Sequence, residues 1–158
     1  MSHSRIYQIA IKVIPEEDYL LADHFLDHWF TNTVADYVED NTDRASDIRW
    51  FKEILGDSAR FETDNSFVIQ PGGKEKYLQT AYLSFENACL TALSIDLTKF
   101  ATINSISMLL FDINKAFCDE YSFYVSSDTF GLIPLDEFIR SAEIGKRYFI
   151  GGTLEYHL

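Results

Sequence analysis

Apolar positions recur along the chain at two spacings, and together they predict both strands and helices. Residues 5–14 are densely apolar and mostly β-branched, which favours a central strand that Pro15 ends. Residues 16–30 carry apolar side chains at helical spacing, with acids in the first turn after Pro15, and predict an amphipathic helix. A short helix is predicted from a cap at Thr33 through Glu39.

The middle of the chain continues with a helix, a hairpin and two further helices. Asn41 and Thr42 interrupt the pattern before a predicted helix over residues 43–55. Residues 60–63 and 67–70 flank a polar turn and predict a β-hairpin. The clearest helical period covers residues 74–93, and apolar spacing predicts another helix over 103–117; residues 94–102 fit no single element.

The last forty residues predict strands around one short helix. Residues 121–126 favour a strand by their aromatic content, and a turn follows at 128–131. Pro134 opens a short helix that Gly145 closes. Residues 147–150 and 153–157 are strand-like, and Gly151-Gly152 between them is either a tight hairpin turn or a bulge in one long strand.

This order of elements predicts an α+β fold with a largely antiparallel sheet of about four to six strands covered by helices. Its first part has the order of a ferredoxin-like βαββαβ unit, followed by a C-terminal helix and strand. The length of 158 residues predicts a single globular domain over residues 1–158, with an acidic helical segment at 15–57 inserted after the first strand.

Composition supports a folded chain in a reducing compartment. Apolar residues make up 47% of the chain, which supplies enough core material despite a net charge of −12. Cys89 and Cys118 are too few for a disulfide framework, and the N-terminus has no signal-peptide pattern. No apolar run reaches the ~18 residues of a membrane helix. We therefore expect a cytoplasmic protein that does not insert in membranes.

Most of the negative charge lies in one third of the chain. Residues 15–65 hold fourteen acids and four bases, a net of −10. Such a surface repels phosphate backbones and anionic membranes and attracts basic protein surfaces. The alternative is that the charge serves only solubility.

A stripe of acids is the sharpest candidate within that region. Asp36, Glu39, Asp40, Asp43 and Asp47 would line one side if the two helices flanking Asn41 continued in one direction. Acids three or four residues apart on a helix lie ~5–6 Å from each other, similar to the spacing of phosphates along a nucleic-acid strand. Asp23 and Asp27 form a second acidic patch, and all seven acids are candidate partner-binding residues.

His24 and His28 lie four residues apart in the predicted first helix, with Asp27 beside them. This spacing can chelate zinc or a similar ion, which gives an alternative metal site of His24, Asp27 and His28. No HExxH pattern or cysteine pair completes it, and His3 and His157 are distant in sequence. The main expectation is no metal and no cofactor, with a solvated polar face.

The leading hypothesis is a non-enzymatic interaction protein, since no local catalytic motif is present. Its most concrete form is an inhibitor that occupies the nucleic-acid groove of a nuclease or other basic partner by mimicking phosphate charge. Anti-restriction, anti-CRISPR and nuclease-immunity proteins share this size and charge, although not this sequence. The alternatives are a metal-dependent enzyme or metal-binding protein using His24 and His28, and a small-molecule-binding domain. The oligomeric state stays open.

Overall fold

The computed structural model describes residues 3–40 and 42–158 of the chain, and it confirms the predicted α+β class. Within those residues the strands are β1 His3–Ala10, β2 Tyr37–Glu39, β3 Ala59–Thr63, β4 Ser66–Ile69, β5 Tyr124–Ser127, β6 Gly131–Pro134 and β7 Arg147–His157. The helices are α1 Trp29–Thr33, α2 Arg44–Leu55, α3 Gly73–Leu93, α4 Leu97–Phe100, α5 Ser107–Phe117 and α6 Leu135–Ser141. No helix in this part of the chain combines the length and the apolar character needed to cross a bilayer.

The longest strand, β7, organises the sheet. On one side it pairs antiparallel with β1; on the other it pairs with β4 near Tyr148 and with β2 near Tyr156. β5 runs parallel to β1, and the remaining pairs, β3–β4 and β5–β6, are antiparallel. The sheet is therefore largely antiparallel, as predicted, and its seven described strands exceed the predicted range by one. The ferredoxin-like order is not confirmed.

The described chain divides into two compact units. The first holds the sheet and consists of residues 3–77 together with Tyr121–Leu158. The second, Leu78–Glu120, contains most of α3 with α4 and α5, and several of its large apolar side chains are exposed, among them Leu93, Leu97 and Phe100. The prediction of a single domain over residues 1–158 stays a prediction.

Alternation along β1 places apolar side chains on both faces of the sheet. Tyr7 lies on the face that α2 covers, with its ring 4.5 Å from that of Phe51. Ile6 points to the opposite face, in a buried cluster with Phe25, Phe30 and Tyr156. The burial of β1 on both faces explains its almost continuous apolar sequence.

A bulge in β7 brings the chain that follows β1 close to the sheet. Tyr7 pairs with Thr153 and Ile9 with Ile150, so Gly151 and Gly152 both lie opposite Gln8. This confirms the second of the two interpretations of the glycine pair. A Cβ on Gly152 would lie 2.9 Å from the backbone nitrogen of Leu20, so glycine is required where that chain crosses β7.

The predicted helix over residues 16–30 is wrong. Only short 3₁₀ turns form, at Glu16–Asp18 and Ala22–Phe25, before α1 begins at Trp29. The Gln8 side chain supplies hydrogen bonds that a helix would have supplied: its Oε1 accepts from Leu20 N at 2.9 Å and its Nε2 donates to Asp18 O at 3.0 Å. Tertiary contacts with the sheet therefore override the local helical pattern.

The predicted helix from Thr33 through Glu39 is also wrong, because residues 37–39 form β2. β4 pairs with β7 only as far as Phe149, which leaves the edge of β7 near its C-terminus to be paired. β2 occupies that edge, and the Asp36 backbone nitrogen extends the pairing by donating to His157 O at 2.8 Å. Asn41 lies outside the described residues, so the predicted interruption there is not described.

Other predicted helices and strands are confirmed, some of them with different first or last residues. The hairpin is β3–β4, the helix predicted at 43–55 is α2, and the helix predicted at 74–93 is α3. α5 begins four residues later than predicted, and β1 ends four residues earlier than predicted. The sequence pattern missed β6, whose residues were assigned to a turn and the start of a helix.

Candidate functional site

The chain between β1 and α2 carries a concentrated negative surface. Residues 16–43, called here the acidic segment, contain nine acids and no lysine or arginine. Eight of these acids are exposed and Glu39 is half-buried. In the described part of the chain no lysine or arginine forms an ion pair with any of them. Glu39 contacts His157, and the charges of the eight exposed acids are directed at solvent.

The acidic segment is held against the sheet although it is largely irregular. Phe25 and Phe30 anchor it in the buried cluster on the sheet face opposite α2. Gln8 binds its backbone at Asp18 and Leu20. Arg44 at the start of α2 stacks over the Tyr19 ring at 4.8 Å and donates to Gly151 O at 2.7 Å. These anchors give the exposed carboxylates a fixed backbone.

Large apolar side chains are exposed among the acids. Leu21, Leu26, Trp29 and Tyr37 are 50%, 73%, 50% and 44% exposed. Aromatic and aliphatic side chains of this size supply most of the affinity in many protein interfaces, while charges around them steer association. The acidic segment thus combines both kinds of group.

The five acids predicted to form a helical stripe do not lie on one continuous helix. Asp36 flanks β2, Glu39 lies in β2 and Asp40 follows it, so no continuous helix aligns them with α2. Asp43 caps α2, accepting from Ser46 N at 3.3 Å. Asp47 is only 4% exposed and is therefore not a surface acid. Asp23 and Asp27 are exposed, as predicted.

Asp47 instead forms a buried ion pair with Arg5. Its Oδ1 lies 2.7 Å from Arg5 Nε, and its Oδ2 accepts from Thr153 Oγ1 at 2.8 Å. Burial alone would lower the pKa of Arg5, but the hydrogen bond and charge of Asp47, with Glu155 adding to them, raise it overall. Arg5 therefore stays charged inside the fold, and Asp47 is a structural residue.

His24 and His28 do not lie on one helix, as the alternative metal site of His24, Asp27 and His28 assumed. Because residues 22–25 are a 3₁₀ turn and no helix connects the two histidines, the spacing of one helical turn is lost. His24 Nδ1 accepts from Leu21 N at 3.1 Å, and His28 Nδ1 accepts from Phe30 N at 3.2 Å as the cap of α1. Among the described residues, Asp27 is not grouped with them in any cluster with metal-binding spacing.

A different cluster of histidines and acids lies where β2, β7 and β1 meet. The ligand atoms of His3, Glu155 and His157 all lie within 4.8 Å of one another. Glu155 Oε1 is 2.6 Å from His3 Nδ1, and Glu39 Oε1 is 2.6 Å from His157 Nε2. Sequence reasoning named both histidines only as distant possible ligands. The alternation of Glu155 with His157 along the predicted strand 153–157 could have placed those two on one face, whereas His3 lies two residues before the predicted start of the first strand.

A cleft opens at the carboxyl ends of the parallel strands β1 and β5. Its volume is about 410 Å³, and charged groups on its wall are Lys12, Asp18 and Asp128. Sequence reasoning had no means of locating it, because β1 and β5 are more than one hundred residues apart in the chain. Carboxyl ends of parallel strands are a common position for ligands in open sheets.

Comparison with protein-family models, with curated proteins and with solved structures finds no match for this chain.

Proposed function

We propose that this protein is a non-enzymatic interaction protein of the cytoplasm that binds a basic protein surface through the acidic segment, residues 16–43. The observation that carries the proposal is the set of exposed acids with no lysine or arginine ion-pair partner among the described residues, in the same segment as exposed Leu26, Trp29 and Tyr37. Carboxylates accelerate encounter with a basic partner, and the exposed apolar side chains slow its dissociation.

The most concrete form of this proposal is an inhibitor of a nuclease or another nucleic-acid-binding protein. Exposed carboxylates at this density can occupy a groove lined by lysine and arginine in place of phosphates. The support for an inhibitor of this kind is the density of exposed acids on the acidic segment. The helical stripe of acids predicted from the sequence does not support it, because that helix is not formed. Such binding weakens steeply as salt is added, since both partners release counterions on association.

The test compares two variants that change the net charge of −12 equally. The first replaces four exposed acids of the acidic segment: Asp23→Asn, Asp27→Asn, Asp36→Asn and Asp40→Asn. It spares Asp43, which caps α2, and Asp47, which is buried. The matched control replaces four exposed acids elsewhere: Asp64→Asn, Glu86→Gln, Asp128→Asn and Glu137→Gln.

The immobilised protein is used to capture a partner from an extract of the cells that carry the gene, in low salt. We expect the first variant to associate with that partner about 10–100-fold more slowly than wild type, because electrostatic steering is lost. The control should associate at nearly the wild-type rate. If both variants associate equally slowly, the effect comes from net charge alone. If the first variant associates at the wild-type rate, the acidic segment is not the binding surface. Competition by DNA or RNA for the partner separates phosphate mimicry from other binding.

The cleft between β1 and β5 favours a second candidate function, binding of a small molecule. Lys12 on its wall would attract an anionic group, while Asp18 and Asp128 restrict which anions fit. A thermal-shift screen of anionic metabolites tests this candidate. A stabilising ligand whose effect is lost in Lys12→Ala would support it, and a screen without such a ligand would count against it.

A further inference from the structure

Strand pairing brings four potential ligands to one face of the sheet. His3 on β1 lies directly opposite His157 on β7, and Arg5 lies opposite Glu155. On the other side of β7, Glu39 of β2 lies opposite Glu155. Since side chains two residues apart on a strand share a face, His3, Glu39, Glu155 and His157 project from the same side of three adjacent strands.

We propose that His3, Glu155 and His157 bind a divalent transition-metal ion of the zinc type, with Glu39 as a further carboxylate next to His157. Two imidazoles and a carboxylate are ligands that zinc prefers, and three such ligands leave a further coordination position. The three ligand atoms are already within 4.8 Å of one another. His3 Nδ1 and Glu155 Oε1 are 2.6 Å apart, and the ion would replace the proton shared between them.

The charges around the cluster are balanced by a divalent cation. Arg5 is paired with buried Asp47 at 2.7 Å, and its Nη1 also lies 3.3 Å from Glu155 Oε1. The carboxylates of Asp47, Glu155 and Glu39 carry three negative charges, and Arg5 carries one positive charge. A net of two negative charges therefore lies next to the two imidazoles. Partly buried charges are stable when they are compensated, and a divalent ion compensates this pair.

His157 presents its Nε2 to the cluster, 3.8 Å from Glu155 Oε1 and 2.6 Å from Glu39 Oε1. Metal binding through Nε2 would therefore place the Glu155 and Glu39 carboxylates next to the ion. The residue is 4% exposed, and its buried Nδ1 has no hydrogen-bond partner among the described residues. Stacking of Tyr37 on the His157 ring, with 4.2 Å between centroids, holds the ring further.

The ion would join the start of β1 to the end of β7. Half of the His3 side chain is exposed, so an ion can enter from solvent without opening the core. Metal binding that requires the folded arrangement stabilises that arrangement. The proposed site is distinct from the acidic segment except at Tyr37 and Glu39, so its failure would leave the proposed function untouched.

The test uses the full chain without an affinity tag, stripped with a chelator and dialysed. Titration with Zn²⁺ in a calorimeter should give a single site per chain, and Co²⁺ should give the visible absorption of a site with imidazole ligands. Zn²⁺ should also raise the thermal midpoint. We expect His3→Ala and Glu155→Gln to weaken Zn²⁺ binding by at least about 100-fold, and Glu39→Gln by about 10–100-fold.

His24→Ala is the matched control, because it removes an exposed histidine outside the cluster. It should leave Zn²⁺ affinity unchanged. His3→Ala is informative because His3 is exposed; urea denaturation of the stripped variant verifies its fold. The proposal is overturned by absent Zn²⁺ binding, by affinity that His3→Ala leaves unchanged, or by affinity that His24→Ala removes.

Discussion

At the scale of single residues, the buried pair of Asp47 and Arg5 connects α2 to the middle of the sheet. Asp47→Asn keeps the shape of the side chain but leaves Arg5 with Glu155 as its remaining charged partner, 3.3 Å away. Removing one partner of a buried pair costs about 3–5 kcal/mol, and we expect about 3 kcal/mol here because Glu155 remains. Urea denaturation measures this loss. Exposed Asp40→Asn should change stability by no more than about 0.5 kcal/mol, and an equally small loss in Asp47→Asn would contradict the prediction.

Tyr7 gives the fold a dependence on alkaline pH. Burial, together with the charge of Asp47, raises the pKa of Tyr7 above its ordinary value. Above about pH 10 the unfolded chain loses this proton while the folded chain keeps it, so stability falls by up to about 1.4 kcal/mol per pH unit. The contribution is fully present at lower pH. Urea denaturation across this range should show a shallower fall for Tyr7→Phe than for wild type; parallel curves would contradict the assignment.

At the scale of elements, the bulge in β7 holds the acidic segment against the sheet. Gly152→Ala would place a Cβ 2.9 Å from Leu20 N and 3.1 Å from Leu20 O, so the crossing backbone would have to move. We expect a loss of about 1–3 kcal/mol, the usual cost of overpacking, and faster hydrogen exchange at the Leu20 amide.

Gly131→Ala is the control for this prediction. Gly131 has φ +70° but open space around its Cβ position, so alanine costs only backbone strain of about 1–2 kcal/mol. Exchange at the Leu20 amide should stay at the wild-type rate in this control. An unchanged Leu20 amide in Gly152→Ala would show that the bulge does not hold the acidic segment.

At the scale of the whole molecule, a net charge of −12 opposes the compact state. Added NaCl screens this repulsion, and we expect a gain of about 1 kcal/mol, which raises the thermal midpoint by about 2–4 °C for a chain of this size. The variant with four neutralised acids in the acidic segment should gain less. A thermal midpoint independent of salt in the wild type would show that self-repulsion is negligible.

Elements whose contacts are local could be predicted from the sequence. The apolar spacing of residues 74–93, the polar turn between β3 and β4, and the cap and glycine stop of α2 all correspond to observed elements. Local pattern also determined the α+β class and the concentration of acids before α2. These features follow from helical periodicity and turn chemistry, which act within a few residues.

Only the tertiary structure decided what the acidic segment looks like. Gln8 and the β7 bulge replace helical hydrogen bonds over residues 16–30, and the edge of β7 converts residues 37–39 into a strand. Packing of α2 on the sheet buries Asp47 beside Arg5, and pairing of β1 with β7 brings His3, Glu155 and His157 together from the two ends of the chain. No local spacing encodes the contacts of Arg5 with Asp47 and of His3 with Glu155, because the paired residues are 42 and 152 positions apart. The sequence by itself determined which charges are present. Tertiary packing decided which of them are exposed to solvent and which are buried in the fold.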